Sequence, residues 1–534
     1  MKVSLEGISD RKQWEEKGYT MPKYDVVQIA EATRENPFWI HFGAGNLFRS
    51  FHAAVAEKML NAGKLDKGII VAEGFDYEIV EKVYAAHDNL GIAVTLKADG
   101  TIDKTVIGSV AEALSLDSDN DRAYGRLKEI FEKDSLQMAT FTITEKGYRL
   151  VNGIGEYLSD VEADFKAGPE SPVSYIGKVS SLLYARYRAG EKPIAMVSTD
   201  NCSHNGDKLY AAISTFAEAW VENGKADAGF KAYIDSGKVS FTWSMIDKIT
   251  PRPDESVKAI LKNDGVEELE PFVTSKNTYI ASFVNAEETE YLVIEDDFPN
   301  GRPDLEQGGI LFTDRATVDK AEKMKVCTCL NPLHTCLAVF GCLLGYEKIS
   351  EEMKDRELVK LAEAVGFKEG LPVVVNPEIL DPEEFINTVL KVRLPNPFMP
   401  DTPQRIATDT SQKLAVRFGE TIKAYAADEN RKIDELRMIP LVFAGWMRYL
   451  MAVDDDGQHF ELSPDPMLKE IRPQIEGIRL GDTDVEDIIK PIMKNVDIFG
   501  VDLYEVGMAD KVCGYFKELI AETGAVRKTL KKYV

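Results

Sequence analysis

An apolar strand, a glycine turn and an amphipathic helix follow one another between residues 38 and 60. Residues 38–42 (FWIHF) are apolar enough for a buried strand, residues 43–45 (GAG) form the turn, and residues 47–60 have helical apolar spacing. A second apolar strand follows at 68–72. This order predicts a parallel sheet that is covered by helices on both faces.

The alternation of strands and helices continues to about residue 250. Further strands are predicted at 92–96, 104–110, 138–144, 193–198 and 239–245, and further helices at 77–86, 174–188 and 209–221. The strands at 92–96 and 104–110 flank Ala98-Asp99-Gly100 and predict a hairpin. We therefore expect an α/β domain of the Rossmann type, with a parallel-rich sheet, over residues 1–300.

After residue 300 the pattern becomes almost entirely helical. Glycine and proline residues at 301–309 form a link, and 534 residues are too many for one core. Helical periodicity is found at 333–345, 352–366, 382–391, 411–426, 434–451 and 502–522. We expect a mostly α-helical second domain over residues 301–534, with an active site in the cleft beside the nucleotide sheet.

Composition excludes several classes of partner. The net charge of −25 argues against nucleic acid, because phosphate binding needs a basic face. We find no apolar stretch of about 18 residues and no signal-peptide core, so neither a membrane nor secretion is expected. Six cysteines in a long chain indicate a reduced, cytoplasmic protein. The sequence does not indicate the oligomeric state.

The turn at residues 43–45 resembles a dinucleotide-binding turn, although the third position of the G-x-G-x-x-G pattern is Phe48. Glycines allow the backbone to approach a pyrophosphate at a helix N-terminus, and Arg49 would add a cation there. An ordinary tight turn is the alternative. The candidate cofactor-binding residues of this segment are Gly43, Ala44, Gly45, Asn46 and Leu47.

Acidic residues after the second strand are candidates for binding the adenosine ribose. Glu73 or Asp76 would accept its hydroxyl hydrogen bonds, and the spacing does not choose between them. An acid at this place favours NAD over NADP, because it repels a 2′-phosphate. Thr144 and Glu145, beyond the strand predicted at 138–144, are also assigned to the cofactor.

The densest chemistry of the chain lies at residues 322–334. Oxidation of a carbinol needs a base for the hydroxyl proton and donors for the developing alkoxide, and Lys325, Asn331 and His334 have these capacities. A surface lysine and a core histidine are the alternatives. The cysteines at 327, 329 and 336 form no trusted zinc pattern with His334, so buried apolar cysteines and no metal are expected.

Polar residues also follow three predicted strands, at 144–148 (TEKGY), 200–206 (DNCSHNG) and 247–251 (DKITP). In an open α/β sheet, ligands bind beyond the carboxyl ends of the strands. Ordinary caps and turns would explain each segment taken alone. The three segments together favour a binding site.

Six segments in order resemble the polyol-specific long-chain dehydrogenases, the family of mannitol dehydrogenase and of fructuronate and tagaturonate reductases. They are IHFGAGNLFR (40–49), TITEKGY (142–148), STDNCSHNG (198–206), MIDKITP (245–251), KVCTCLNPLH (325–334) and RIATDTSQK (405–413). The resemblance implies a zinc-independent, NAD(P)-dependent oxidoreductase with a lysine base. The resemblance implies that Lys325 is the base, that the amides of Asn201 and Asn331 stabilise the oxyanion, and that His334 contacts the substrate. It also implies that Glu322 passes the proton to solvent. The substrate-binding residues that it implies are Asp247, Arg405 and Lys413.

The sequence departs from the family pattern K-x4-N-x2-H at one place. Five residues instead of four separate Lys325 from Asn331, and one extra residue turns a helix face by about 100°. Convergence of the two side chains therefore predicts a bulge or a non-helical stretch between Val326 and Leu330.

The substrate is a polyol or sugar acid that the motifs do not identify. Mannitol/fructose needs only hydroxyl partners, whereas mannonate/fructuronate and altronate/tagaturonate need a cation such as Arg393, Arg405 or Lys413 for the carboxylate. Two other hypotheses are an epimerase with tightly held NAD and a catalytically silent ligand-binding homologue.

Overall fold

The computed structural model describes all 534 residues, and the chain divides into two compact units. The first comprises Met1–Lys97 and Thr101–Asp319, and the second comprises Ala98–Gly100 and Lys320–Val534. The division lies inside the helix Arg315–Met324, later than the link predicted at 301–309. It lies later because Leu311–Thr313 still adds a parallel strand to a sheet of the first unit.

The main sheet of the first unit has six strands. In chain order they are β1 (Trp39–Phe42), β2 (Ile69–Glu73), β3 (Val110–Ser115), β4 (Met138–Phe141), β5 (Ile194–Ser198) and β6 (Val239–Thr242). Their order across the sheet is β3-β2-β1-β4-β5-β6, and all neighbours are parallel. This is the strand order of a Rossmann sheet, so the predicted fold class is confirmed.

Apolar clusters cover both faces of this sheet. On one face, Phe42 and Phe141 stack with their ring centroids 4.9 Å apart beneath the helices Asp121–Glu132, Tyr175–Arg188 and Asn205–Glu222. On the other face, the helix Ala53–Asn61 packs through Val55 and Met59. Strands buried on both faces are apolar at nearly every position, which is why they could be located in the sequence.

Smaller sheets and helices complete the first unit. One sheet contains Tyr19–Thr20, Ile102–Ile107, Gly91–Leu96 and Phe283–Glu287, another contains Ser244–Asp247, Tyr291–Glu295 and Leu311–Thr313, and a third contains Phe272–Val273 and Tyr279–Ile280. The remaining helices are Leu5–Ile8, Arg11–Glu15, Val26–Glu35, Thr144–Gly147, Ser159–Ala167, Ala228–Asp235 and Glu255–Asp264. Two segments, Phe48–His52 and Val80–Tyr84, are π-helical.

Three predicted strands differ from the structure. The predicted hairpin exists, but its second strand ends at Ile107, because Gly108 and Ser109 lead into β3. Strand β4 ends at Phe141, and the predicted residue Thr144 has a φ of 61° at the start of a short helix. The strand predicted at 239–245 is two strands that belong to different sheets, because the chain passes from one sheet to the other at Trp243.

The second unit is helical, as predicted. Its α-helices are Asn331–Leu343, Ile349–Glu352, Arg356–Glu363, Pro382–Thr388, Pro403–Ile406, Glu420–Ala427, Met438–Leu450, Leu468–Ile475, Glu486–Met493, Val496–Phe499, Ala509–Leu519 and Ala525–Tyr533. Its π-helical segments are Lys325–Cys329, Ala364–Gly370, Val389–Arg393 and Ala415–Gly419. Such turns carry one residue more than an α-helical turn, and they are frequent at functional sites.

One helical run, Arg315–Leu343, has the length and apolar composition to cross a membrane, although the sequence had indicated no such stretch. In the structure, 78% of its most apolar window is buried inside the protein. The core helix of a helical unit has the same composition, because every face of it is buried.

Candidate active site

The glycine turn lies beyond the carboxyl end of β1. The φ of Gly43 is 107°, and a Cβ atom there would lie 2.3 Å from the carbonyl oxygen of Thr142, so only glycine fits. A Cβ atom on Gly45 would meet nothing within 4 Å, which leaves the backbone open to a ligand. Asn46 has a buried Oδ1 atom without a hydrogen-bond partner, and Leu47 packs against the core. An open glycine and an orphaned polar atom fit a nucleotide.

The third position of the glycine pattern is occupied by a buried aromatic ring. Phe48 stacks on His41 with their ring centroids 4.6 Å apart, inside the π-helical turn Phe48–His52. Arg49 does not extend toward the glycine turn: it is buried, and its Nη1 donates to the carbonyl of Ala281 at 2.9 Å. Its predicted role as a phosphate-binding cation is therefore wrong, because the π-turn directs it into the core.

The two acidic candidates after β2 have different partners. The carboxylate of Glu73 accepts three backbone N–H bonds, from Ala44 at 2.8 Å, Phe75 at 2.8 Å and Asp76 at 3.0 Å. Asp76 accepts one bond, from the hydroxyl of Thr274 at 2.5 Å, and its Oδ1 is buried without a partner. Glu73 therefore holds the turn in place, whereas Asp76 keeps an acceptor available.

Asp200 fastens the loop after β4 to the end of β5. Its carboxylate accepts the N–H of Ile143 at 3.0 Å, the N–H of Thr144 at 2.8 Å and the hydroxyl of Tyr148 at 2.5 Å. Burial raises the pKa of Asp200, while these donors favour its charged form. The sequence placed Asp200 at a strand end but did not reveal this positioning role.

The other assigned residues of the first unit lie at strand ends, as expected. Asn201 is exposed in the loop after β5, and Asp247 is buried at the end of the strand Ser244–Asp247. Glu145 forms an ion pair with Lys208 at 2.6 Å, which lowers the pKa of its carboxyl group.

Lys325 begins the π-helical segment Lys325–Cys329 in the second unit, which we call the lysine turn. The N–H of Leu330 bonds to the carbonyl of Lys325 at 3.1 Å, five residues back, and the φ and ψ of Leu330 are −125° and −62°. The helix Asn331–Leu343, which we call the site helix, starts at the next residue. The extra residue is therefore taken up by a wider turn, as the spacing predicted, and Lys325 is buried there.

The first turn of the site helix carries the other two assigned groups of the reacting centre. Asn331 is half-buried, and its carbonyl accepts the hydroxyl of Thr335 at 2.9 Å. The Nε2 of His334 lies 3.4 Å from the Oδ2 of Asp401 but forms no hydrogen bond. Glu322 is half-buried one turn before Lys325.

Positive charge surrounds His334. Burial, and then neighbouring cations, lower the pKa of this imidazole to about 3, so it is neutral near pH 7. The cations are Arg393, Arg417, Arg405 and Lys413. The one carboxylate in direct contact with the ring, Asp401, is also ion-paired with Arg405.

Each cation of this cluster has its own setting. Arg393 is buried, and Arg405 is mostly exposed. The ammonium group of Lys413 donates to the carbonyls of Thr408 and Ile406, and burial lowers the pKa of Lys413. Arg417, which the sequence did not single out, donates to the hydroxyl of Thr335 at 2.5 Å.

The cysteines near the lysine turn lie in apolar surroundings. Cys329 contacts the carbonyl of Pro382 at 3.7 Å, and Cys336 contacts the carbonyl of Leu333 at 3.1 Å. Burial raises the pKa of both thiols, which disfavours the thiolate that a metal would need.

Both units of the chain match models of one protein family. Residues 38–307 match the family described as mannitol dehydrogenase Rossmann domain, and residues 317–519 match the mannitol dehydrogenase C-terminal domain. D-Mannonate oxidoreductase from Thermotoga maritima is 52% identical over 100% of this chain and 99% of its own length.

Two solved structures are similar over nearly the whole chain. The Pseudomonas fluorescens mannitol 2-dehydrogenase complex with NAD and D-mannitol has a TM-score of 0.68, with 25% identity over 100% of this chain and 99% of its own. A substrate-free D-sorbitol dehydrogenase has a TM-score of 0.77, with 24% identity over 95% and 97%, and supports the fold. The predicted oxidoreductase class is confirmed: the chain belongs to the mannitol dehydrogenase family.

Proposed function

We propose that this protein is an NAD-dependent oxidoreductase that interconverts D-mannonate and fructuronate. The observation that carries the proposal is the cluster of four cations around the neutral His334, one helical turn from Asn331 and beside the lysine turn. A sugar acid brings a carboxylate into this positive field, which favours it over a neutral polyol. The full-length likeness to a D-mannonate oxidoreductase supports the same substrate.

The groups of the second unit would carry the proton chemistry. Lys325, in its neutral form, takes the hydroxyl proton of the substrate, and Glu322 passes it to solvent. The amide of Asn331 donates to the oxygen as negative charge develops there, with Asn201 as the second amide. His334 orients a neighbouring hydroxyl group. Asp247, Arg405 and Lys413 are assigned to substrate binding by resemblance.

The first unit would hold the dinucleotide. When bound, the nicotinamide supplies the hydride acceptor in the oxidative direction and the hydride donor in the reverse direction. The open backbone at Gly45 would receive the pyrophosphate, and Asp76, which keeps an acceptor available, would bind the ribose. Glu73, whose carboxylate is occupied by three amides, positions the turn instead. None of the six cysteines forms a disulfide, which fits a cytoplasmic setting.

Initial rates at 340 nm test the proposal. Purified protein would be given NADH or NADPH together with fructuronate, tagaturonate or fructose. Oxidation of NADH that is fastest with fructuronate is the expected result. Preference for fructose would instead indicate a mannitol 2-dehydrogenase, the activity of the neighbour solved with D-mannitol. Silence with every pair, from folded protein that binds NADH, would favour an epimerase or a binding protein.

A further inference from the structure

Arg417 is a half-buried cation without an anionic partner. Its Nη1 donates to the hydroxyl of Thr335 at 2.5 Å, and no carboxylate lies within ion-pair distance of its guanidinium group. Burial lowers the pKa of Arg417 to about 10, so the group is still charged at neutral pH. A half-buried charge gains stability from a counter-ion, and most such groups in proteins are paired.

Arg448 in the same unit shows how a structural arginine is accommodated. Its guanidinium group donates to three backbone carbonyls, those of Leu519, Val453 and Asp454. Arg417 has five N–H donors and uses one of them on the protein. The remaining donors are therefore available to a ligand.

The position of Arg417 is fixed relative to the first turn of the site helix. Thr335 accepts from Arg417 and donates to the carbonyl of Asn331, so one hydroxyl links the guanidinium group to that turn. Asn331 and Thr335 are four residues apart and share a helix face, about one turn of 5.4 Å along the axis. Arg417 lies one helical turn after Lys413, because its backbone N–H donates to the carbonyl of Lys413 at 2.9 Å.

The nearby acids of the chain are committed to other groups. Asp401 is ion-paired with Arg405 and lies against His334. Asp465 accepts the N–H and the hydroxyl of Ser411. No carboxylate of the chain forms an ion pair with Arg417, so an anion from solution can take that place. A planar guanidinium group matches the two oxygens of a carboxylate in a bidentate pair.

We infer that Arg417 binds the carboxylate of the substrate and sets the selectivity for a sugar acid over a neutral polyol. The inference rests on the proposed function, because it takes the reacting oxygen to lie at Asn331. A ligand held there extends one helical turn to place its terminal carboxylate against the guanidinium group. Lys413, one turn earlier, binds backbone carbonyls and adds positive potential.

The test compares Arg417→Gln and Arg417→Lys with Arg356→Gln, which changes an exposed arginine of the same unit. The readout is the ratio of kcat/KM for fructuronate to kcat/KM for fructose, with NADH. We expect Arg417→Gln to lower this ratio about 100-fold, mainly through the KM for fructuronate, because a charged hydrogen-bonded pair is lost. Arg417→Lys should recover part of the ratio, and Arg356→Gln should leave it unchanged.

Binding measurements keep the test decisive if fructose reacts too slowly. Calorimetry would then give the Kd of D-mannonate, which should rise at least 30-fold in Arg417→Gln while the Kd of NADH stays within threefold. An unchanged ratio or an unchanged Kd for D-mannonate would overturn the inference. Should Arg417→Gln not fold, Arg417→Lys alone decides, with an expected loss of about tenfold confined to the sugar acid. If the unmodified protein prefers fructose, the proposed substrate fails independently of any variant.

Discussion

Two carboxylates of the first unit, Glu73 and Asp200, and the cation cluster of the second unit differ in how far the protein satisfies their hydrogen-bonding groups. In the first, Glu73 and Asp200 are each surrounded by three donors of the protein itself. In the second, Arg417 has one donor in use and His334 has an Nε2 atom without a hydrogen bond. A carboxylate whose oxygens accept hydrogen bonds from the protein holds a loop in place. A cation whose donors are unused by the protein can bind an anion from solution.

This contrast separates positioning from recognition. A nucleotide phosphate is bound mainly by backbone N–H groups. The carboxylates of Glu73 and Asp200 therefore serve to hold that backbone in position. A sugar acid presents a localised carboxylate, so the second unit leaves a cation for it. Substitutions in either unit therefore test this difference.

The largest effect is expected for Lys325→Ala, which removes the proposed base from the lysine turn. General base catalysis contributes about 10²–10⁴-fold, so kcat should fall by that order while NADH still binds. Stopped-flow rates at 340 nm and fluorescence titration of NADH would measure the two quantities. Lys323→Ala, two residues earlier on an exposed position, is the control. Near-normal turnover in Lys325→Ala would remove this lysine as the base.

Asp200→Asn should weaken the cofactor side without changing the reacting groups. The carboxylate faces two backbone N–H groups and one hydroxyl, and an amide places its own NH₂ group against one of these donors. We expect the KM for NADH to rise about tenfold, because roughly 1–3 kcal/mol attends the loss of a buried hydrogen-bond partner.

The control for Asp200→Asn is Asp119→Asn, at an exposed position of the same unit. A KM for the sugar acid that rises as much as the KM for NADH would contradict a role confined to the loop.

Acid should destabilise both regions through buried histidines. The pKa values of His52 in the first unit and His334 in the second are lowered to about 3, from 6.5 in the unfolded chain. Between pH 6.5 and 3 the unfolded chain therefore binds more protons, so stability is complete above this window and is lost as the pH falls through it. Urea midpoints measured from pH 7 to 4 should fall.

Replacing one histidine should flatten that fall. His334→Asn should retain more of its pH 7 midpoint at pH 4 than the unmodified protein, by on the order of 1 kcal/mol in the free energy of unfolding. The His87→Asn variant, at a buried histidine that bonds to the carbonyl of Val3, is the control. Parallel curves for His334→Asn and the unmodified protein would show that the fold does not suppress protonation of His334.

Regular periodicity predicted most of the fold, whereas the site depends on contacts that periodicity does not encode. Strands β1 and β2 and the helical second unit follow from apolar spacing. Glu73 and Asp200 find their amide partners 29 and 57 residues away, and Arg417 finds Thr335 82 residues away. A lone arginine in a helical pattern looks like a surface residue until its burial is known.

The apolar pattern of the sequence also did not predict the π-helical turns, with the exception of the lysine turn. Apolar spacing near 3.6 residues does not reveal a single extra residue in one turn. At Lys325 the resemblance to a family with a fixed spacing revealed it, because the count between the lysine and Asn331 was too long by one. At Phe48–His52 no such count existed, and the inward turn of Arg49 was missed.

The smallest effect is expected when that extra residue is removed. Deleting Cys327 should let the lysine turn relax to an ordinary α-helical turn, because a π-turn differs from it by one residue, and it should restore the four-residue spacing of the family pattern between Lys325 and Asn331. We expect kcat within about fivefold of the unmodified protein. Inserting an alanine after Cys327 should instead rotate Lys325 by about 100° and cost more activity than the deletion does. Equal damage from deletion and insertion would mean that the wide turn is itself required, and that the second unit positions its lysine as tightly as the first unit positions its glycine turn.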